Sequence, residues 1–151
     1  MKKFRFQSIL EYRKNLEEEI QQEFLTGRKK LSQEEKKLFD IRDQITDLHR
    51  KFQKKLQENM HPAEIKLHQK YLQAMVKAEN NQKGKIRELE LSLEKKRLEL
   101  LQAIQEKKIM EKLKEKAISK WQKEQLRENQ KILDEKASNT SNKGEVAINV
   151  R

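Results

Sequence analysis

The chain has 151 residues, of which 34% are hydrophobic, 5% aromatic and 40% charged, too little apolar surface for an ordinary globular core of this length. The absence of cysteine excludes disulfides, thiolate metal sites and a cysteine nucleophile. A formal net charge of +11 invites a nucleic-acid or anionic-membrane reading, but acidic residues are interspersed throughout and no aromatic ladder lies among the basic ones, as base stacking would want.

The first predicted element is a helix over about residues 3–57. Leu10, Phe24, Leu31, Leu38, Ile45 and Phe52 repeat at heptad position a, and Phe6, Ile20, Ile41 and Leu48 at d. Lys3 and Glu17 break the a row; Arg13, Gly27, Glu34 and Lys55 weaken the d row; Ile9 and Leu16 broaden the seam at g. Sustained a/d periodicity with few Gly and Pro points to a coiled coil rather than disorder.

A turn at about 58–61 precedes the single proline, Pro62. Inside a helix, proline costs roughly 3 kcal/mol. At the first helical position its missing N–H costs almost nothing. Glu64 then falls in the first turn, where a carboxylate suits the helix dipole. The second helix is expected over about 62–136, with Ile65, Leu72, Ile86, Leu93, Leu100 and Trp121 at a, and Met75, Leu89, Ala103, Met110 and Ala117 at d. After Leu100 the frame loosens: Lys107 and Lys114 take a, while Ile104, Leu113 and Ile118 fall off the seam. Asn80-Asn81-Gln82-Lys83-Gly84 reads either as a hinge or as a solvated polar stretch. The run Ser138–Gly144 is rich in helix breakers, so 138–151 is expected to be a disordered tail.

The fold class is therefore all-α: one long antiparallel two-helix coiled-coil hairpin, residues 1–137, monomeric in isolation. At 1.5 Å per residue the helices would be about 80 and 110 Å long. A turn centred on Met60 makes facing residue numbers sum to about 120. Leu48 then meets Leu72, Ile45 meets Met75, Leu31 meets Leu89, Ile20 meets Leu100 and Leu10 meets Met110. Three layers are poor: Arg13 on Lys107, Phe24 on Lys96, and Glu34 on Ile86. Residues 1–30 carry eight basic and five acidic side chains, and 107–136 carry ten and six. The open end of the hairpin thus holds +7 of the +11.

Catalytic chemistry has no foothold. His49, His61 and His68 lack metal-ligand spacing. No glycine-rich loop can cradle phosphate. Runs such as Glu17-Glu18-Glu19 read as solvated faces. No cofactor is expected, and the chain is not expected to be an enzyme. The start, Met1-Lys2-Lys3-Phe4-Arg5-Phe6, has no apolar run behind it and is not a secretory signal. No stretch approaches the roughly 20 apolar residues a membrane span needs, so an intracellular protein is expected.

Three blocks resemble the FliJ family of the bacterial flagellar type III export apparatus. The first is Phe4-Arg5-Phe6-Gln7-Ser8-Ile9-Leu10-Glu11-Tyr12-Arg13-Lys14-Asn15-Leu16-Glu17. The second is the spacing of Tyr71, Met75, Ala78 and Gln82, which is similar to that family's export-gate patch, whose last position can be His. The third is Glu106–Lys116 with Trp121 and Gln130–Ala137. The resemblance implies a non-enzymatic stalk whose open end enters a hexameric export ATPase, which contacts the cytoplasmic domain of the export-gate membrane protein, and which escorts export chaperones. It would lie in the cytoplasm, peripheral to the inner membrane through its partners. Tyr71, Met75, Ala78 and Gln82 would face the gate. On charge and aromatic character, Phe4, Arg5, Phe6, Arg13, Lys112, Lys116, Trp121 and Arg127 are the expected ATPase contacts. The alternatives are the stalk of a virulence type III secretion system and a generic structural coiled-coil tether.

Overall fold

The computed structural model describes residues 3–149, with side-chain exposure for residues 3–144. It contains two α-helices, α1 (Gln7–Gln57) and α2 (Pro62–Asn149), packed against each other in antiparallel fashion, and no strand among the described residues. The chain divides into two compact units: unit 1 comprises Met1–Asn15 and Ile104–Arg151, and unit 2 comprises Leu16–Ala103.

Unit 2 contains the turn. α1 stops at Gln57, and Asn59 takes a left-handed conformation (φ 63°), which asparagine tolerates better than most residues with a Cβ. His61 is the N-cap of α2. Its Nδ1 accepts a hydrogen bond from the Ala63 amide at 3.3 Å, and its carbonyl accepts from Glu64 at 2.9 Å. Pro62 holds the first helical position as expected. The cap itself comes from the histidine side chain rather than from a serine, threonine or acid.

The seam of unit 2 follows the heptad reading. Half-buried or buried positions in α1 recur at Ile20, Phe24, Gly27, Leu31, Glu34, Leu38, Ile41, Ile45, Leu48 and Phe52. Their counterparts in α2 include Ile65, His68, Leu72, Met75, Gln82, Ile86, Leu89, Leu93, Lys96 and Leu100. Phe52 stacks on His68 with ring centroids 4.1 Å apart, a pair summing to 120. A Cβ added at Gly27 would sit 3.2 Å from the Leu93 side chain, again a sum of 120. The turn at Pro62 thus sets the register that the hydrophobic layers need.

Two poor layers in unit 2 are resolved by polar side chains that reach sideways. Lys96 bonds Glu23, one residue from the facing Phe24, and Glu99 on its own helix. Gln82 is buried, and its Nε2 donates to the backbone carbonyl of Glu34 at 2.9 Å and to the Glu34 carboxylate. The hydrogen bond from Gln82, followed by that from Lys37, holds the Glu34 carboxyl below its ordinary value. Next to it, Arg42 donates to Glu79 at 3.2 Å, and this bond, with help from Lys83, lowers the Glu79 carboxyl likewise. The Asn80–Gly84 segment remains within a continuous α2: the inter-helix bonds of Gln82 engage the most polar part of the candidate hinge.

In unit 1, α1 opens at Gln7, after a turn in which the Gln7 amide bonds the Phe4 carbonyl, a few residues later than the sequence placed it. Leu10 and Met110 lie in the seam, Leu10 buried. Arg13, in the third poor layer, bonds Glu106 beside Lys107, and Lys107 lies near Glu111 at 4.0 Å. α2 continues to Asn149, beyond the end near Lys136 expected from the sequence. Every described side chain from Gln122 to Gly144 is exposed. The helix there rests on its backbone ladder and local bonds such as Thr140 Oγ1 to the Lys136 carbonyl at 2.8 Å, without the tertiary packing that gives most helices their stability.

Candidate functional site

The expected gate contacts all lie in unit 2, on the first third of α2. The heptad letters separate them. Tyr71, at g, is 54% exposed. Met75 and Ala78 are half-buried, and Gln82, at d, is turned into the seam against Glu34. Tyr71 is thus the member that offers a free surface, while Gln82 positions the helix that carries it. Tyr71 also borders an open groove of about 660 Å³ lined by Leu48, Phe52, Met60, Leu67 and His68 among others. Leu67 is largely exposed there. Lys51, Lys55 and Lys70 rim the groove with Glu64. This groove between the helices near the turn is not visible in a heptad assignment, because c-position Leu67 reads as solvent-facing.

The expected ATPase contacts all lie in unit 1. Phe4 and Phe6 pack edge to face with centroids 5.9 Å apart, and Arg5 lies over the Phe6 ring at 5.6 Å. Aromatic pairs of this geometry hold both rings in place while leaving their edges to a partner. Phe6 remains partly exposed. Trp121 is half-buried, and Arg5, Lys112, Lys116 and Arg127 are exposed. Arg13 differs from the others: it is half-buried, bonded to Glu106, and its guanidinium lies 5.8 Å from the Tyr12 ring. It serves the seam first, and its charge is partly neutralised.

Among the described residues, no group of three or more His, Asp or Glu side chains could hold a metal ion, and no helix is long and apolar enough to cross a membrane. What the two units offer is surface for other proteins: exposed aromatics, exposed cations and an open groove. Neither a curated protein nor a solved structure matches the chain. A family model described as the flagellar FliJ protein matches residues 1–145. With nearly the whole chain matched, the protein belongs to the FliJ family, a component of the flagellar type III export apparatus.

Proposed function

We propose that the protein is a non-enzymatic stalk and adaptor of flagellar export, which couples the hexameric export ATPase to the cytoplasmic domain of the export gate and escorts export chaperones. It acts at the cytoplasmic face of the inner membrane, held there by its partners. The observation that carries this reading, beyond family membership, is the division of charge. Unit 1 has seventeen basic and nine acidic residues, or +8; unit 2 has nineteen and sixteen, or +3. A strongly cationic unit with exposed aromatics suits entry into a ring whose inner surface is acidic, because complementary potentials steer association. Phe4, Phe6 and Trp121 supply apolar anchors, since aromatics and arginine dominate interface hot spots. Tyr71 and its groove supply a second, chemically different contact for the gate. The family match favours the flagellar setting over a virulence secretion system.

The test is stimulation of the purified export ATPase by the full chain. Arg5→Glu with Lys116→Glu should reduce stimulation severalfold at low salt, and wild-type stimulation should weaken as the screening length falls toward about 8 Å near physiological ionic strength. Tyr71→Ala should leave stimulation intact and weaken binding to the isolated gate domain. Stimulation that ignores both salt and charge reversal would remove the electrostatic mechanism.

A further inference from the structure

Unit 1 presents an apolar face that its own helices do not cover. Ile9 and Tyr12 on α1 are 43% and 60% exposed, and Ile109 and Leu113 on α2 are 59% and 44% exposed. Ile9 and Leu113 hold heptad position g; Tyr12 and Ile109 hold c. In an antiparallel pair the g positions of both helices flank the same side of the seam, with c next outward. The ion pair between Arg13 and Glu106 sums to 119 and sets the local register. By that register Ile9 is level with Leu113, and Tyr12 is level with Ile109 on the opposite outer wall, with sums of 122 and 121. The four side chains therefore form one two-sided apolar trough. Arg5 and Lys116, both at c and summing to 121, stand opposite each other at its distal end. The Arg13–Glu106 pair closes the other end.

We propose that this trough is a docking surface for an acidic amphipathic helix of a partner protein. That helix would lay an apolar stripe at i, i+3/i+4 and i+7 between Ile9, Tyr12, Ile109 and Leu113, and set carboxylates against Arg5 and Lys116. The width fits: two helices side by side leave a flank into which a third helix packs at about 8–10 Å between axes. Charge selects the occupant. A second copy of this chain would bring another unit of +8 against the first, and like charges across an interface are unfavourable. An acidic helix gains from the same field. None of the four apolar residues is among the ATPase contacts named above, so the surface stands apart from that reading; Arg5 and Lys116 are shared with it, and the apolar substitutions are therefore the decisive ones.

The experiment measures fluorescence anisotropy of a labelled synthetic peptide titrated with the full-length protein. The probe is a helix of about three heptads with leucine at a and d and glutamate at e and g; its control has the same composition with the stripe scrambled. Tyr12→Ser with Ile109→Ser should weaken binding by about tenfold or more. These positions are well exposed, so the helical circular dichroism should not change. Ile109→Glu alone should weaken binding further by like-charge repulsion. Leu25→Ser with Phe39→Ser, which removes exposed apolar residues of unit 2, should leave the affinity within about twofold. Arg5→Gln with Lys116→Gln should flatten the dependence on salt between about 50 and 300 mM. Equal binding of the scrambled peptide, or insensitivity to the Tyr12 and Ile109 changes, would overturn the proposal. So would self-association that the double serine change abolishes, or attachment to phosphatidylglycerol vesicles that depends on the same residues while peptide binding does not.

Discussion

The two units use one heptad grammar to different effect. In unit 2, almost every a and d side chain meets a partner across the seam, the poor layers are mended by Gln82 and Lys96, and the net charge is only +3 over 88 residues. In unit 1 the seam persists to Trp121, but exposed apolar residues flank it, cations crowd it, and every described side chain of α2 from Gln122 to Gly144 is exposed. The difference teaches where to look for function in a coiled coil. Both units carry exposed apolar residues off the seam, Leu25, Phe39 and Leu67 in unit 2 and Tyr12 and Ile109 in unit 1, but only unit 1 sets them in a strongly cationic surround. A segment that places Tyr12 and Ile109 at c has apolar surface in excess of what its own pairing buries, and excess surface of this kind marks interaction sites.

That contrast can be broken by truncating one apolar residue in each unit. Ile86 is 8% exposed, and Ile86→Ala should cost about 2–3 kcal/mol, the lower part of the range for buried aliphatic truncations because a two-helix seam relaxes more easily than a deep core. Ile109→Ala should change stability by less than about 0.5 kcal/mol, as expected of an exposed position. Urea unfolding followed by circular dichroism reads both. Similar costs at the two sites would mean that unit 1 buries Ile109 in solution.

The polar layer sharpens the comparison within unit 2. Gln82→Leu keeps the volume but removes the bond to the Glu34 carbonyl, and should destabilise by about 1 kcal/mol. The Glu34 and Glu79 carboxyls are lowered in the folded chain. A depressed carboxyl contributes stability above its ordinary value of 4.5, and that contribution is lost as pH falls through the folded value. Melting temperature should therefore drop as pH goes below about 4.5, and Gln82→Leu should make the drop smaller by relaxing Glu34. An unchanged acid profile in the variant would show that the Gln82 bond does not hold the Glu34 carboxylate.

Most of this architecture was legible in the sequence, and the exceptions have physical causes. Pro62 gave the turn, and the turn gave the register, because 3.5-residue periodicity leaves one alignment of apolar layers per heptad. Heptad letters fail where side chains are long. Arg13 on Lys107 reads as a clash, yet Arg13 reaches Glu106 instead. Asn80–Gly84 reads as a hinge because local propensity is poor, yet Gln82 adds inter-helix bonds that propensity cannot see. His61 is not legible as a cap, because its short-range bond depends on the ring orientation. At the candidate sites, position g agrees with the exposure of Tyr71 but not with that of Ala78, also at g and half-buried, and d agrees with the burial of Gln82. The groove beside Tyr71 is lined by Leu48 and Phe52 of α1 with the c-position Leu67 of α2, and the trough beside Tyr12 needs c positions of both helices, so neither is legible in the heptad letters of one helix.

Glycine substitutions separate propensity from packing. Both sites are in unit 2. A Cβ at Gly84 meets nothing within 4 Å, so Gly84→Ala should stabilise by up to about 1 kcal/mol. At Gly27 the same gain is opposed by the 3.2 Å approach to Leu93. Leu93 must yield by a few tenths of an ångström, so Gly27→Ala should stabilise less than Gly84→Ala. The order of the two melting temperatures is the readout. A larger gain at Gly27 would mean that the two helices stand further apart at this layer than the contact implies.

The smallest expected effect compares the inter-helix ion pairs of the two units. Arg13–Glu106 in unit 1 has side chains 34% and 32% exposed, whereas Arg42–Glu79 in unit 2 pairs a 55% exposed arginine with a 19% exposed glutamate. Exposed pairs contribute about 0.2–1 kcal/mol in double-mutant cycles, and less as salt rises. Both cycles, built from Arg→Gln and Glu→Gln changes, should fall in this range. They should differ in salt response. Arg13 sits among the excess cations of unit 1, so its bond to Glu106 also relieves repulsion from Lys107 and its neighbours; added salt screens attraction and repulsion together. Arg42 has no comparable excess of charge around it in the sequence, since Asp40, Asp43 and Asp47 lie nearby on α1. Coupling at Arg13–Glu106 should therefore decline more steeply with salt than coupling at Arg42–Glu79. Equal slopes would show that the charge of unit 1 is too dispersed to act on its own seam, and would confine its role to the attraction of acidic partners.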